Sequence, residues 1–330
     1  MYIITGGAGF IGSAVVWRLN QEGIDDILIV DRLGATDKWK NLVGLRYREY
    51  LHRDEFLRRI RCNEAPDQVK AVIHMGACSS TTERDADFLM ANNVHYAQAV
   101  CRYALERGAR CIQASSAATY GDGSQGFADD PANLSRLRPL SMYGYSKQLF
   151  DLWALRENLL NRIACLKFFN VYGPNEYHKG DMRSLVCKAV EQIQTRGELR
   201  LFRSDRPDYA DGGQMRDFIY VKDCEAIIWW LLGNPEVNGI LNAGSGTART
   251  WNDLAGAVFA AMGRPTNVAY TDMPEALQGR YQYFTQADMA WLKRHNCPVK
   301  CHSLEDGVRD YVCTYLLGDD PYLAAHSDPQ

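Results

Sequence analysis

The sequence begins with Tyr2-Ile3-Ile4-Thr5-Gly6-Gly7-Ala8-Gly9-Phe10-Ile11-Gly12, and this stretch decides the fold. A short apolar run precedes three glycines spaced three apart, Gly6, Gly9 and Gly12, and a helical pattern of apolar residues follows them. Strand, tight turn and helix in this order are typical of a dinucleotide-binding unit. Glycine lets the backbone approach a pyrophosphate, and the N-terminus of the helix favours its negative charge. A plain glycine-rich turn is the alternative, but an acidic residue, Asp31, also ends the next predicted strand.

Short apolar segments alternate with helical patterns through the first half of the chain. Strands are predicted at residues 26–31, 69–74, 110–115 and 163–169, and helices at residues 85–106 and 143–161. This alternation predicts an α/β fold, a Rossmann doubly wound parallel sheet covered on both faces.

The second half is less regular, and it predicts a smaller, interleaved α/β substrate domain. Strands are predicted at residues 199–202, 216–221 and 240–242, and helices at residues 181–196, 223–233, 250–262, 286–295 and 303–316. We expect a surface loop at residues 204–214 and a loose tail at residues 318–330. The predicted domains are residues 1–172 with 217–245, which bind the cofactor, and residues 173–216 with 246–330, which bind the substrate.

Composition indicates a soluble enzyme. The chain has 330 residues and a formal charge of −3, so no electrostatic feature favours nucleic acid or a membrane as a partner. No apolar run approaches the roughly twenty residues that span a bilayer, and Met1 leads directly into the first strand, so neither a membrane anchor nor a signal peptide is expected. The ten cysteines are scattered, which favours reduced thiols, a cytoplasmic location and no metal site.

Tyr143 and Lys147 form a Y-x-x-x-K pair on a predicted helix. Residues four apart share one helix face. A lysine ammonium there is expected to pull the pKa of the tyrosine down from its free value of about 10. A phenol of lowered pKa can take a proton from an alcohol while a hydride leaves for a nicotinamide. The alternative is a chance pair on an ordinary helix, which the glycine-rich start argues against.

Ser115 and Ser116 follow a predicted strand of the sheet. Hydroxyl groups at the carboxyl end of such a strand are well placed to bind a reacting oxygen. Alone, the pair would more often cap a helix. With Tyr143 and Lys147 it completes a Ser-Tyr-Lys set, in which Ser116 is predicted to be the catalytic serine.

Residues after the second strand bear on the choice of cofactor. Asp31 is placed to accept from the ribose hydroxyl of NAD, whereas Arg32, Lys38 and Lys40 could meet the 2′-phosphate of NADP. Ordinary solvated cations are an equal alternative. The local pattern leans only slightly to NADP.

Four motifs carry a resemblance to a known family: T-G-G-A-G-F-I-G, S-S-A-A-T-Y-G, Y-G-Y-S-K and F-N-V-Y-G-P, which start at Thr5, Ser115, Tyr143 and Phe169. They resemble the extended short-chain dehydrogenases/reductases that act on nucleotide-sugars. Stretches at residues 76–83, 178–182, 216–221 and 279–288 are similar to the 6-epimerases of this family that act on ADP-glycero-manno-heptose. The resemblance extends from residue 1 to about residue 316.

The resemblance implies roles for particular residues. Tyr143 and Lys179 would be the two acid/base residues, assisted by Ser116 and Lys147. The NADP pocket would be formed by Gly6, Gly9, Phe10, Ile11, Gly12, Asp31, Arg32, Lys38, Arg53, Met75, Gly76, Ala77, Cys78, Ser79, Asn92, Lys147, Val171 and Lys179. The ADP-sugar would be contacted by Asn170, Asp181, Lys188, Phe202, Arg203, Ser204, Asp205, Arg216 and Tyr281. The family pattern would place serine at Asp181, histidine at Lys188 and an acidic residue at Met75.

The resemblance also implies a reaction and an assembly. The expected activity is the inversion of C-6″ of ADP-D-glycero-D-manno-heptose by transient oxidation with tightly bound NADP, which supplies heptose for the lipopolysaccharide core. The expected assembly is a homo-oligomer, a homopentamer by family likeness.

Three other functions compete with this one. A 4-epimerase would carry the same Ser-Tyr-Lys set but has no evident need of Lys179. A 4,6-dehydratase would need an acid/base pair where this chain has Ala117 and Ala118. A non-enzymatic NADP-binding protein would not need the catalytic side chains.

Overall fold

The computed structural model describes residues 1–274 and 282–325. Its largest element is a sheet of seven parallel strands, which confirms the predicted Rossmann-type α/β fold. The strands, in chain order, are β1 (Tyr2–Thr5), β2 (Ile27–Asp31), β3 (Glu49–His52), β4 (Ala71–His74), β5 (Arg110–Ser116), β6 (Ile163–Phe168) and β10 (Gly239–Ala243).

The strand order is β10-β6-β5-β4-β1-β2-β3, so the direction of winding reverses between β1 and β4. In register, Thr5 lies beside Val30 of β2 and His74 of β4. Ligands of such sheets bind outside the carboxyl ends of the strands at this reversal. The topology therefore places a site after Thr5, where the glycine-rich turn begins.

Helices cover both faces of this sheet and bury nearly all of its apolar side chains. They are α1 (Phe10–Gln21), α2 (Arg53–Arg61), α3 (Ala86–Leu89), α4 (Tyr96–Glu106), α5 (Met142–Arg156) and α7 (Val221–Gly233). The predicted helix at 85–106 is present with a wide π turn over Met90–His95 between α3 and α4.

Two smaller sheets form beside the carboxyl edge of the large one. β7 (Asn170–Tyr172) and β11 (Ala248–Thr250) flank β9 (Met215–Tyr220), and β8 (Leu199–Phe202) pairs with β12 (Val268–Thr271). A separate apolar core joins them to α6 (Leu185–Arg196), α8 (Trp251–Ala261) and α10 (Leu304–Asp310). The remaining helix, α9 (Ala290–Arg294), packs through Leu292 into the core of the large sheet.

The predicted strand near residues 216–221 is thus present, as β9, but it belongs to a small sheet and not to the large one. The predicted helix at 181–196 begins at Leu185, because Ser184 caps its N-terminus by accepting from the Cys187 amide.

The prediction of a loose C-terminal tail is wrong for the part that the structure describes. Leu323 is only 1% exposed, and its amide donates to Asn175 Oδ1 at 3.0 Å. The Ala324 carbonyl accepts from Trp17 of α1 at 3.0 Å. Residues 321–325 therefore pack against the helix that follows the glycine-rich turn. No periodicity in the sequence indicates this packing, because a single buried leucine in an irregular segment has no repeating pattern.

Candidate active site

One pocket lies at the carboxyl ends of β1, β2, β4 and β5. Its wall includes every residue that was predicted to hold the cofactor, together with Ser116 and Tyr143. Side chains not singled out from the sequence also contribute to the wall: Phe88, Tyr96, Phe168, Phe169 and His178. The structure thus brings the glycine-rich turn and the Ser-Tyr-Lys set into a single site.

The turn between β1 and α1 fits a pyrophosphate because its glycines cannot be replaced without a clash. Gly6 has φ +67°, and a Cβ there would lie 2.6 Å from the Gly76 nitrogen. A Cβ at Gly12 would lie 2.0 Å from the Gly6 carbonyl oxygen. The first glycine permits the turn, and the third lets α1 start close against it. The residues present therefore fit a dinucleotide cofactor.

Asp31, at the end of β2, is already surrounded by donors. Its carboxylate accepts from the Ala8 amide at 2.9 Å, the Arg32 amide at 2.6 Å and the Lys38 ammonium at 2.5 Å. Lys40 does not join this group; it pairs with Asp37 at 2.9 Å. Lys38 and the exposed Arg32 therefore flank the carboxylate where an adenosine ribose would lie, and Lys40 does not.

Tyr143 lies in the first turn of α5, and both its side chain and Ser116 line the pocket, where Ser116 lowers the pKa of the tyrosine. The two adjacent serines have different partners. Ser116 also accepts from the Ala118 amide at 3.1 Å, whereas Ser115 donates to Asp151 at 2.8 Å inside the protein. Of the two hydroxyls, that of Ser116 is the one aligned with Tyr143.

The expectation that Lys147 pulls down the pKa of Tyr143 is wrong. Burial raises the pKa of Tyr143, and the hydrogen bond from Ser116 opposes this effect. The Lys147 ammonium donates to the Ala114 carbonyl at 2.8 Å, one helical turn below the tyrosine. Burial also lowers the pKa of Lys147 to about 8, although the Asp151 carboxylate counteracts it. Desolvation is therefore the main cause of both pKa shifts.

One turn of α5 after Lys147, Asp151 takes part in a buried ion pair that was not predicted from the sequence. Lys167 of β6 and Asp151 of α5 are both fully buried, with Nζ 2.9 Å from Oδ2. The ammonium also donates to Thr119 at 2.5 Å and lies 4.8 Å from the ring centroid of Tyr120. Asp151, one turn after Lys147, was the only sign of this ion pair in the sequence. Its partner, Lys167, lies sixteen residues later on a strand, and the sequence does not show that the two meet.

Lys179 reaches the same pocket from a different part of the chain. It lies in the 3₁₀ segment Tyr177–Met182, which follows β7. Its Nζ is 5.2 Å from the ring centroid of Phe10, the first residue of α1. Burial lowers the pKa of Lys179, and the carboxylate of Glu176 opposes this effect. An amine of lowered pKa is suited to exchange protons near neutral pH.

None of the described residues predicted to contact the ADP-sugar lies in the wall of this pocket, and they are spread over the smaller sheets, the loop after β8, the segment that carries Lys179 and α6. Asn170 and Arg216 belong to β7 and β9, and the Arg216 guanidinium lies 5.8 Å from the Trp251 ring. Phe202 ends β8, and the loop beyond it holds Arg203, Ser204 and Asp205. Tyr281 lies outside the described residues.

Two of the three positions that differ from the family pattern, Asp181 and Lys188, are in contact. The Lys188 ammonium donates to the Asp181 backbone carbonyl at 3.0 Å. A cation therefore lies beside the segment that carries Lys179.

The loop at residues 204–214 contains neither helix nor strand, as predicted, but it is braced by side chains. The Arg206 guanidinium lies 5.3 Å from the ring of Tyr209 and 5.0 Å from that of Tyr283. The Asp205 amide donates to the Tyr283 hydroxyl at 3.0 Å. An arginine between two tyrosines holds the loop against the segment that follows Tyr281.

The fold and the pocket define a Rossmann-type dinucleotide-binding protein. A model of the NAD dependent epimerase/dehydratase family matches residues 2–244. A protein of Nitratidesulfovibrio vulgaris strain DP4, named ADP-L-glycero-D-manno-heptose-6-epimerase, is 64% identical over 323 residues, which cover 98% of this chain and 100% of the relative. A protein of the same name from Fusobacterium nucleatum is 48% identical, with 98% and 100% covered.

A solved structure agrees with these relatives. The ADP-L-glycero-D-manno-heptose-6-epimerase of Helicobacter pylori is 26% identical, has a TM-score of 0.77 and is matched over 94% of this chain and 95% of its own. The chain therefore belongs to the NAD dependent epimerase/dehydratase family, and its cofactor is a nicotinamide dinucleotide. In the described part of the chain, no helix is long and apolar enough to cross a membrane.

Proposed function

We propose that the protein is an isomerase that interconverts ADP-D-glycero-D-manno-heptose and ADP-L-glycero-D-manno-heptose by inverting C-6″. The full-length relatives that bear this name support the substrate. The observation that carries the chemistry is that Tyr143 and Lys179 line one pocket although they come from different elements. Two proton-exchanging groups around one carbon are what an inversion of this kind requires.

The bound nicotinamide would supply reversible hydride transfer at C-6″. One of Tyr143 and Lys179 would take the proton of the C-6″ hydroxyl, which leaves a 6″-ketone on the sugar. The other would return a proton to the oxygen after the ketone has turned in the pocket. Ser116 would hold the reacting oxygen, and Lys147 would supply positive charge beneath Tyr143. The configuration at C-6″ would be inverted with no net oxidation or reduction of the substrate.

We infer that the cofactor is NADP and not NAD. Lys38 and Arg32 flank the Asp31 carboxylate, and the Lys38 ammonium in contact with it offsets the negative charge that would repel a 2′-phosphate. The remaining predicted pocket residues, from Arg53 and the 75–79 segment to Asn92 and Val171, would hold the adenosine and nicotinamide parts.

We further propose that the ADP-sugar lies between the pocket and the small sheets. Asn170 and Arg216 would meet it from β7 and β9, and Arg203 and Asp205 would meet it from the loop after β8. Lys188, held against the Asp181 backbone, would bring one more cation to this region than the histidine of the family pattern. Supply of heptose to the lipopolysaccharide core, a cytoplasmic location and a homo-oligomeric state stay predictions.

Incubation of the purified protein with ADP-D-glycero-D-manno-heptose, without added cofactor, tests the function. We expect a mixture of the two C-6″ epimers, resolved by chromatography. A 4-epimerase is the second candidate because it would share Ser116, Tyr143 and Lys147. Unchanged ADP-heptose together with turnover of a UDP-hexose at C-4 would favour that candidate.

A further inference from the structure

Glu176 is a buried carboxylate that has no place in the chemistry described so far. Its side chain is 0% exposed, yet it lies three residues before Lys179, whose backbone amide donates to its carbonyl at 3.0 Å. A fully buried charge is costly unless it is paired and hydrogen-bonded. The hydrogen-bond partners of the Glu176 carboxylate therefore indicate its role.

Three donors converge on the Glu176 carboxylate. The Ser184 amide and hydroxyl donate to it at 2.5 Å and 2.6 Å, and the Tyr311 hydroxyl donates at 3.0 Å. Burial raises the pKa of the Glu176 carboxylate, and the donors from Ser184, the charge of Lys179 and the Tyr311 hydroxyl oppose this effect. These bonds close residues 176–184 into a loop and anchor it to the start of α6 and to the π-helical turn Tyr311–Leu316 that follows α10, called the C-terminal helix below.

Lys179 is carried on this closed loop. Its ammonium reaches the pocket over the Phe10 ring, and Glu176 is the carboxylate that acts on it. The loop is braced again at Gly180, which has φ +55° and whose carbonyl accepts from Arg183 at 3.0 Å. The position of the lysine therefore depends on where Glu176 fastens the loop.

We propose that Glu176 acts on the reaction through Lys179, by clamping the loop that carries this lysine and by holding a carboxylate on the same closed loop as its ammonium group. Glu176 is a positioning residue, because its own oxygens are taken by Ser184 and Tyr311 and do not reach the pocket wall. The inference rests on the proposed function, in which Lys179 exchanges a proton with the substrate.

Other charged and titratable groups face the same loop, so their influence must be separated from that of Glu176. On the cofactor side they are His178, Lys38 and Asp31. On the side of α6 and the C-terminal helix they are Tyr177, Cys187, Arg183 and Tyr311. Glu176 is the carboxylate whose charge raises the pKa of Lys179 against the effect of burial. Loss of this charge is therefore expected to lower the pKa of Lys179 further.

The test isolates Lys179 by working in a Tyr143→Phe background. The enzyme is loaded with the reduced nicotinamide cofactor and mixed with ADP-mannose oxidised to the aldehyde at C-6″, and the loss of cofactor absorbance is followed in a single turnover. Reduction of the aldehyde needs a protonated Lys179 as the acid, so the rate falls as the pH rises through its pKa. Adding Glu176→Gln should move this fall to lower pH, and if the pKa of Lys179 falls by about one, the ratio of the rates at pH 9 and pH 7 should drop by up to about sixfold.

Glu191→Gln is the matched control. Glu191 also fastens this loop region, through an ion pair to Arg183 with N···O 2.5 Å, but it is 56% exposed. Glu191→Gln should leave the pH dependence of aldehyde reduction unchanged. A Glu176→Gln profile that coincides with that of Glu191→Gln would overturn the inference and reduce Glu176 to a loop anchor.

Two further measurements separate the possible failures. If adding Lys179→Met to Tyr143→Phe leaves the rate unchanged, the proposed function fails at Lys179; if it abolishes the rate while Glu176→Gln leaves the profile unmoved, only the present inference fails. If Glu176→Gln does not fold, the melting temperature of Lys179→Met decides. Its loss relative to the unsubstituted protein should be larger at pH 8 than at pH 5, because the buried carboxylate has lost its counter-charge, and equal losses would overturn the inference.

Discussion

Removal of one partner from the Asp151–Lys167 pair should destabilise the protein severely. Both side chains are 0% exposed, and their charged atoms are 2.9 Å apart. Asp151→Asn keeps the size of the side chain and its ability to accept from Ser115, but it leaves the Lys167 ammonium buried with only Thr119 and the face of Tyr120. An unpaired buried charge of this kind costs about 3–5 kcal/mol.

The expected change in melting temperature follows from the length of the chain. An unfolding entropy of about 2.1 cal/mol/K per residue gives roughly 0.7 kcal/mol/K for 330 residues, so the loss corresponds to a decrease of about 4–7 °C. Urea unfolding followed by circular dichroism gives the free energy directly, and a calorimetric scan gives the melting temperature.

Two further variants test the reasoning. Lys167→Met combined with Asp151→Asn removes both charges, and it should cost less than the sum of the single changes by on the order of 2 kcal/mol. Arg309→Gln breaks a pair of similar geometry, to Asp306, whose members are 66% and 52% exposed, and it should change the stability by at most about 1 kcal/mol. Additive single changes, or an Asp151→Asn loss as small as that of Arg309→Gln, would refute the assignment of a buried charge pair.

The other predictions concern the site and one helix interface. Denatured protein should release NADP⁺ as its main nucleotide, and NAD⁺ as the main species would contradict the role given to Lys38. Tyr143→Phe should lower turnover by about 10²-fold or more while the fold and bound cofactor are retained, as judged by melting temperature and absorbance; near-normal turnover would remove Tyr143 from the mechanism. Lys179→Met should keep ADP-sugar binding yet abolish interconversion of the epimers, while part of the dismutation of the C-6″ aldehyde persists and is lost with Tyr143→Phe added; epimerisation at the normal rate would make Lys179 a bystander. Burial raises the pKa of Glu225 from 4.5 to about 8 beside Arg18, so the folded protein loses stability as the pH rises from about 4.5 to about 8, and Glu225→Gln should raise the melting temperature at pH 9 but not at pH 4.

The elements with strong local signals were predicted well. β1, β2 and β8 lie where the apolar runs indicated, and α8 begins where Thr250 and Asp253 form a capping box. The observed start of a helix differs from the predicted one where a side chain caps it, as Ser184 does for α6. Such a cap depends on the conformation of one residue and not on periodicity. The sheet to which β9 belongs could not be predicted, since the apolar pattern of a strand does not name its neighbours.

The active-site predictions also succeeded where they depend on local spacing and failed where they depend on burial. A shared helix face, which follows from the four-residue spacing, placed Tyr143 and Lys147 together. Their pKa values did not follow from the spacing, because burial raises the pKa of Tyr143 and lowers that of Lys147, and the sequence does not show how deep either group lies.

The sequence by itself determined the features that depend on neighbouring residues: the glycine-rich turn after β1, the alternation of strands and helices, and the common face of Tyr143 and Lys147. Only the tertiary structure decided that Lys167 pairs with Asp151 and that Lys179 arrives on a loop closed by Glu176. The reason is physical. Turn and helix geometry is fixed by a few consecutive dihedral angles, whereas the pairing and desolvation of a charge depend on residues brought together from distant parts of the chain.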